Sequence, residues 1–275
     1  MNKTQWGILA AILLWSACAA GEAFAQFTIN LNYDSTVTPA QKEIFELAAA
    51  TWESFIIGYQ PGISITGVTI NASTPDLYDP PGTDVLGMAN ATHWVNQGGF
   101  RLTTAGYMQF DVENVEDLMA QGWFDEVVIH EMGHVLGIGI NWVSNGVYIH
   151  GSGRYTGQYG VAAYNAEFGQ TGDYIPVELA GGASTANKHW AEVFQGAALT
   201  GITDALGRDM AHELMTGWLN VGRTPYLANF TIQSLRDIGF VVVDLTAVPE
   251  PATIGLLIPL VLVGMRWQRR RWRTA

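Results

Sequence analysis

The chain has 275 residues, 13 Lys and Arg against 25 Asp and Glu, a formal net charge of −12 and 48% hydrophobic residues. That is enough to bury the core of one large domain or two modest ones without covalent staples. Its single cysteine, Cys18, excludes an intrachain disulfide and a cysteine-rich zinc module. Gln26 to Ala247 carries 23 acidic and 7 basic residues, net −16, whereas Arg266 to Arg273 holds 5 arginines and no acid. An acidic body repels phosphates, so nucleic acid is not an expected partner.

In chain order, Lys3, the apolar run Trp6 to Ala20 and the small residues of Ala23-Phe24-Ala25 have the charged, apolar and cleavage-site order of a secretory signal. Residues 1–25 are therefore expected to be removed, Cys18 with them, leaving a cysteine-free body that starts at Gln26. Phe27 to Tyr33 alternates apolar and polar side chains and predicts a strand. Thr38-Pro39 starts a predicted helix with Ile44, Leu47, Ala48 and Phe55 at helical spacing up to Gly58. Ile63 to Ile70 predicts a strand, Asn71 to Asn90 a loop, and Tyr107 to Asp111 a further strand. This order suggests a twisted sheet packed on helices, without internal repeats or an interdomain linker.

The chemistry concentrates in Asp125-Glu126-Val127-Val128-Ile129-His130-Glu131-Met132-Gly133-His134-Val135-Leu136-Gly137. Asp125 can cap or charge the first turn of a helix, and Gly137 can stop it. Four residues of helix put His130 and His134 on one face, able to converge on a tetrahedral ion. Glu131 is placed to act as a general base rather than a ligand. Gly133 either permits close packing or is merely tolerated. A catalytic zinc site takes three protein ligands, and the compact position 140 is Ile140. Spacing leaves His93, His150, His189 and His212 open as the third.

Downstream, Thr185-Ala186-Asn187-Lys188-His189-Trp190 and Glu213-Leu214-Met215-Thr216-Gly217, supported by Ala162 to Asn165 and Thr231 to Phe240, resemble the leishmanolysin-like branch of the metzincins. The resemblance covers roughly Trp123 to Val243. It implies metal ligands His130, His134 and His189, Glu131 as the catalytic residue, and Met215 in a Met-turn beneath the zinc. Ile138 stands where family members commonly have phenylalanine. The cysteine-free body must hold its lower half by packing or by ions rather than by disulfides.

Two acidic clusters, Asp76, Asp79 and Asp84 in one loop and Asp111, Glu113, Glu116 and Asp117 in another, read as solvated surface, with Ca2+ as the alternative. Tyr148, Tyr155 and Tyr159 either line a cleft or cover the core. At the C-terminal end, Val248-Pro249-Glu250-Pro251-Ala252 leads into an apolar stretch, Thr253 to Met265, closed by Arg266-Trp267-Gln268-Arg269-Arg270-Arg271. The stretch contains Pro259 and is shorter than the roughly 20 residues of a self-sufficient membrane span. The arrangement over 248–273 resembles the bacterial PEP-CTERM sorting signal. It implies a short transmembrane anchor, an exosortase-type processing enzyme, and a body at the cell surface of a Gram-negative bacterium or secreted from it.

The expectation is an α+β, metzincin-like domain over 26–247, with an N-terminal mixed sheet, an active-site helix and an irregular C-terminal subdomain. Its expected activity is that of an exported zinc-dependent endopeptidase acting on protein or peptide. The alternative is a non-catalytic, zinc-stabilised surface or matrix binding protein.

Overall fold

The computed structural model describes residues 27–77, 86–193, 198–219 and 224–245. The expected signal and sorting segments, with Asp79 and Asp84, lie outside them. The opening alternation forms β1 (Thr28–Tyr33), with Phe27 and Ile29 turned into the core. Thr38 then caps α1 (Pro39–Phe55). The Gln41 N–H donates to Thr38 Oγ1 at 3.3 Å, and the Thr38 N–H donates to Gln41 Oε1 at 2.7 Å. This reciprocal pair satisfies two donors that the helix cannot, and Pro39 fits the first turn. Phe45, Ala48, Ala49 and Trp52, at helical spacing, form the buried face.

After the short β2 (Ile56–Tyr59) come β3 (Gly67–Ser73), β4 (Gly87–Gln97) and β5 (Phe100–Phe110). They complete a four-stranded sheet in the order β1-β3-β5-β4, parallel except for β4, which runs antiparallel to β5. Here the structure corrects the sequence expectation. The strand expected from Ile63 begins at Gly67, and the expected loop to Asn90 gives way to β4 at Gly87. The hairpin explains β4. Gly98 and Gly99 have φ of 58° and 86°, the backbone that a two-residue I′ turn requires, so β4 pairs along most of β5 without an alternating pattern of its own.

Asp111 then caps α2 (Val112–Gln121), accepting from the N–H groups of Glu113 and Asn114 at 3.1 and 3.2 Å and from that of Leu77 at 2.8 Å. One of the calcium candidates is thereby a buried structural cap. α3 (Phe124–Leu136) packs on α1 and on the sheet. Beyond it, regular structure is sparse: β6 (Arg154–Tyr155), α4 (Gln158–Phe168), β7 (Ile175–Pro176), α5 (Gly182–Thr185), α6 (Asn229–Ser234) and β8 (Phe240–Val242). β6 pairs with β7, and β8 returns to pair with β2.

What holds this irregular half is aromatic packing. Trp190 is fully buried, 4.6 Å from Trp142 and 5.2 Å from both Tyr155 and Phe230, ring centre to ring centre. Such contacts add about 0.5–1.5 kcal/mol each beyond burial. They supply the rigidity that disulfides would otherwise give. Tyr148 and Tyr155 belong to this core, while Tyr159 lies at the surface beneath Arg236. The architecture is mixed α/β, a mixed sheet with helices, compatible with the α+β class. Among the described residues no helix is long and apolar enough to cross a membrane.

Candidate metal centre

Asp125 and Glu126 put negative charge in the first turn of α3, against its exposed N–H groups. Trp123, not Asp125, holds the N-cap position, so Asp125 acts by charge. At the other end Gly137 has φ 119°, and its N–H reaches the carbonyls of Gly133 and His134, stopping the helix. Trp52 Nε1 donates to the Ile129 carbonyl at 3.0 Å and fastens α3 to α1.

On this fixed helix His130 and His134 lie one turn apart, with ring centres separated by 4.7 Å. His189, on the segment after α5, stacks on His130 at 5.1 Å and meets His134 edge-on at 4.6 Å. The three Nε2 atoms stand 3.1 Å apart for His130–His134, 3.2 Å for His130–His189 and 3.0 Å for His134–His189.

Every remaining ring nitrogen faces a backbone carbonyl. His130 Nδ1 meets the Leu214 oxygen at 2.7 Å, His134 Nδ1 that of Ile138 at 2.9 Å and His189 Nδ1 that of Thr185 at 2.8 Å. A carbonyl only accepts, so each neutral ring carries its proton on Nδ1 and presents a bare lone pair at Nε2. Three lone pairs facing one another have no donor among them, and a shared cation resolves the conflict. A tetrahedral zinc with bonds of about 2.0–2.1 Å sets its ligand nitrogens about 3.3 Å apart, close to these separations. His130, His134 and His189 could thus hold a metal ion. Three imidazoles suit zinc, copper, iron or nickel.

Burial favours the neutral rings. It holds His130 below the ordinary imidazole range and His134 well below it, and brings His189 down to about 3, with the neighbouring imidazoles adding to the effect on the last two. Glu131 is also buried, which pushes its carboxyl up to about 8 against the opposing pull of Lys188. Glu131 and the three histidines line a cleft of about 1030 Å³ with Met88 and Ala89 of β4, Lys188 and Trp218.

Met215 is fully buried, and a Cβ at Gly133 would stand 2.9 Å from its Sδ and 3.0 Å from Trp52 Cζ2. Gly133 is therefore a site of close packing. His93 and His150 are exposed and outside the cluster, and His212 lines the cleft without joining it. Among the described residues the acidic side chains form no comparable group.

Several contributors escape a reading of the sequence. Lys188 lies in a quoted motif but has no role until its charge is seen beside Glu131. Asn187 has φ 69°, the only positive value outside glycine among the described residues. Its Oδ1 accepts from the Tyr148 hydroxyl at 2.6 Å and the Gly151 N–H at 2.7 Å. An asparagine just before Lys188-His189 was the available signal, since asparagine tolerates left-handed backbone. The Leu214 carbonyl leaves no mark in the sequence.

In sequence comparisons no protein-family model matches the chain, and no curated protein matches it.

Proposed function

We propose that the protein is an exported zinc-dependent endopeptidase of the metzincin type. The observation that carries this reading is the convergence of three Nε2 lone pairs on one point, beside a buried carboxylate, in an open cleft. Zinc held there would supply Lewis acidity toward a water molecule and the scissile carbonyl. Glu131 accepts the proton that the attacking water loses and gives it to the departing amine as the carbon–nitrogen bond breaks. A carboxyl whose affinity for protons is raised by burial suits both halves of that transfer. Met215 packs under the helix between the two histidine positions and keeps the turn after His189 against α3.

The order of signals at the two chain ends supports delivery outside the cytoplasm. There the C-terminal segment would meet the membrane and an exosortase-type enzyme, leaving the body at the envelope surface or released.

The test combines metal analysis of the purified body with digestion of a peptide library by the body and by Glu131→Gln. Stoichiometric zinc in both, with cleavage only by the wild type, is expected. A loss of about 10²–10⁴-fold in kcat is the scale for removing a general acid–base. Equal cleavage by the variant refutes the role of Glu131. Bound zinc without turnover in the wild type identifies a structural site instead.

A further inference from the structure

We propose that Glu213 is a positioning residue which sets two of the three histidines through the backbone of the turn that follows it; the inference rests on the metal-centre reading above. Glu213 is 1% exposed and its carboxylate serves three donors. Oε2 accepts from the Met215 N–H at 2.6 Å, and Oε1 from the Ala228 N–H at 3.1 Å and the Thr231 hydroxyl at 2.7 Å. The peptide clamped at Met215 carries the Leu214 carbonyl, and the next peptide of the same turn, whose N–H donates to the Glu213 backbone carbonyl at 3.2 Å, carries that of Met215. That of Leu214 receives His130 Nδ1 at 2.7 Å and fixes that ring's tautomer and tilt. That of Met215 receives the Trp190 N–H at 3.0 Å and seats the residue next to His189. Thr231 closes the circuit, since its oxygen also accepts from Trp190 Nε1 at 2.9 Å. One side chain therefore braces a histidine from the helix and a histidine from the loop against a common frame, and orientation of ligands by such outer partners tunes a metal's affinity and activity.

Asp237 provides a comparison within the same protein. It too serves three donors, the Tyr155 hydroxyl at 3.0 Å and the N–H groups of Tyr159 and Gly160 at 2.9 and 2.8 Å, yet neither of its clamped peptides carries a carbonyl that meets a histidine. A carboxylate that only stabilises the fold should behave like Asp237.

The experiment loads the purified protein, Glu213→Gln, Thr231→Val and Asp237→Asn with cobalt(II) and records the visible absorption, the cobalt affinity, thermal stability, and kcat and KM on a peptide. Glutamine keeps the size of the side chain but turns an NH₂ toward a backbone N–H. Glu213→Gln should shift the cobalt bands, weaken affinity roughly 10–100-fold and lower kcat with KM nearly unchanged. Thr231→Val should do the same more weakly. Asp237→Asn should lose thermal stability while its spectrum and affinity stay those of the wild type. The proposal is overturned if Glu213→Gln loses stability alone and keeps the wild-type spectrum and affinity. Should that variant not fold, Thr231→Val decides by the same criteria. A wild-type protein that takes up no cobalt overturns the metal-centre reading itself.

Discussion

Gly133 and Met215 stand in contact, the sulfur only 2.9 Å from where a Cβ on the glycine would lie. Neither can change size alone. Gly133→Ala should cost about 1–3 kcal/mol through overpacking, measured by urea unfolding, and should weaken metal binding because the displaced turn carries the Leu214 carbonyl. Met215→Leu, close in volume, should cost less than about 1.5 kcal/mol and leave metal content intact.

Metal uptake should release protons from an unusual source. In the metal-free protein the imidazoles are already neutral near pH 7, whereas Glu131, raised to about 8, is mostly protonated. A dication beside Glu131 favours the carboxylate, so binding should expel about one proton, read by calorimetry in buffers of different ionisation enthalpy. Release of two or three protons would show that the rings were charged. The same shifts set the metal-free stability profile. Depressed imidazoles contribute stability above their ordinary 6.5 that is lost as pH falls through their folded values. Raised Glu131 contributes stability below 4.5 that is lost as pH rises through about 8. Thermal melts without metal should therefore weaken on both sides of a maximum near 6.5.

Lys188→Met removes a cation that pulls Glu131 downward. The carboxyl should then hold its proton to higher pH. The acidic limb of the kcat/KM profile, which reports the base of the free enzyme, should move upward. An unmoved limb would separate Lys188 from the base.

Trp190→Ala should be among the most damaging changes in the irregular half, costing about 3–5 kcal/mol by denaturant titration. Trp190→Phe keeps much of the ring packing but leaves the Thr231 oxygen without its indole donor, so a smaller loss of about 1 kcal/mol is expected.

What was legible in the sequence was local. The alternation of β1, the Thr38-Pro39 helix start and the His130–His134 spacing are short-range signals, each recorded within one turn or one strand. β4 was not legible, because its Ala89-Asn90-Ala91 run is held by pairing with β5 rather than by a pattern of its own. Nor was α2, whose start Asp111 caps through the Glu113 and Asn114 N–H groups: only Val115 and Leu118 are buried along it, and its acidic residues read as a surface cluster. Spacing did not choose the third histidine either. His189 reaches the helix because Asn187 and Trp190 bend and anchor its segment, and in the sequence only the family resemblance points to it. The carbonyls that orient the rings could not be seen at all, since every residue has one.

The clamp around Glu213 has a consequence for the order of synthesis. The helix of His130 is made early, but the carbonyl that seats its ring comes from Leu214, and the hydroxyl that steadies the clamp comes from Thr231. A growing chain thus has no finished site until nearly all of the body has been made. Competence to capture the ion becomes a property of the completed fold rather than of the helix that carries two of the three imidazoles.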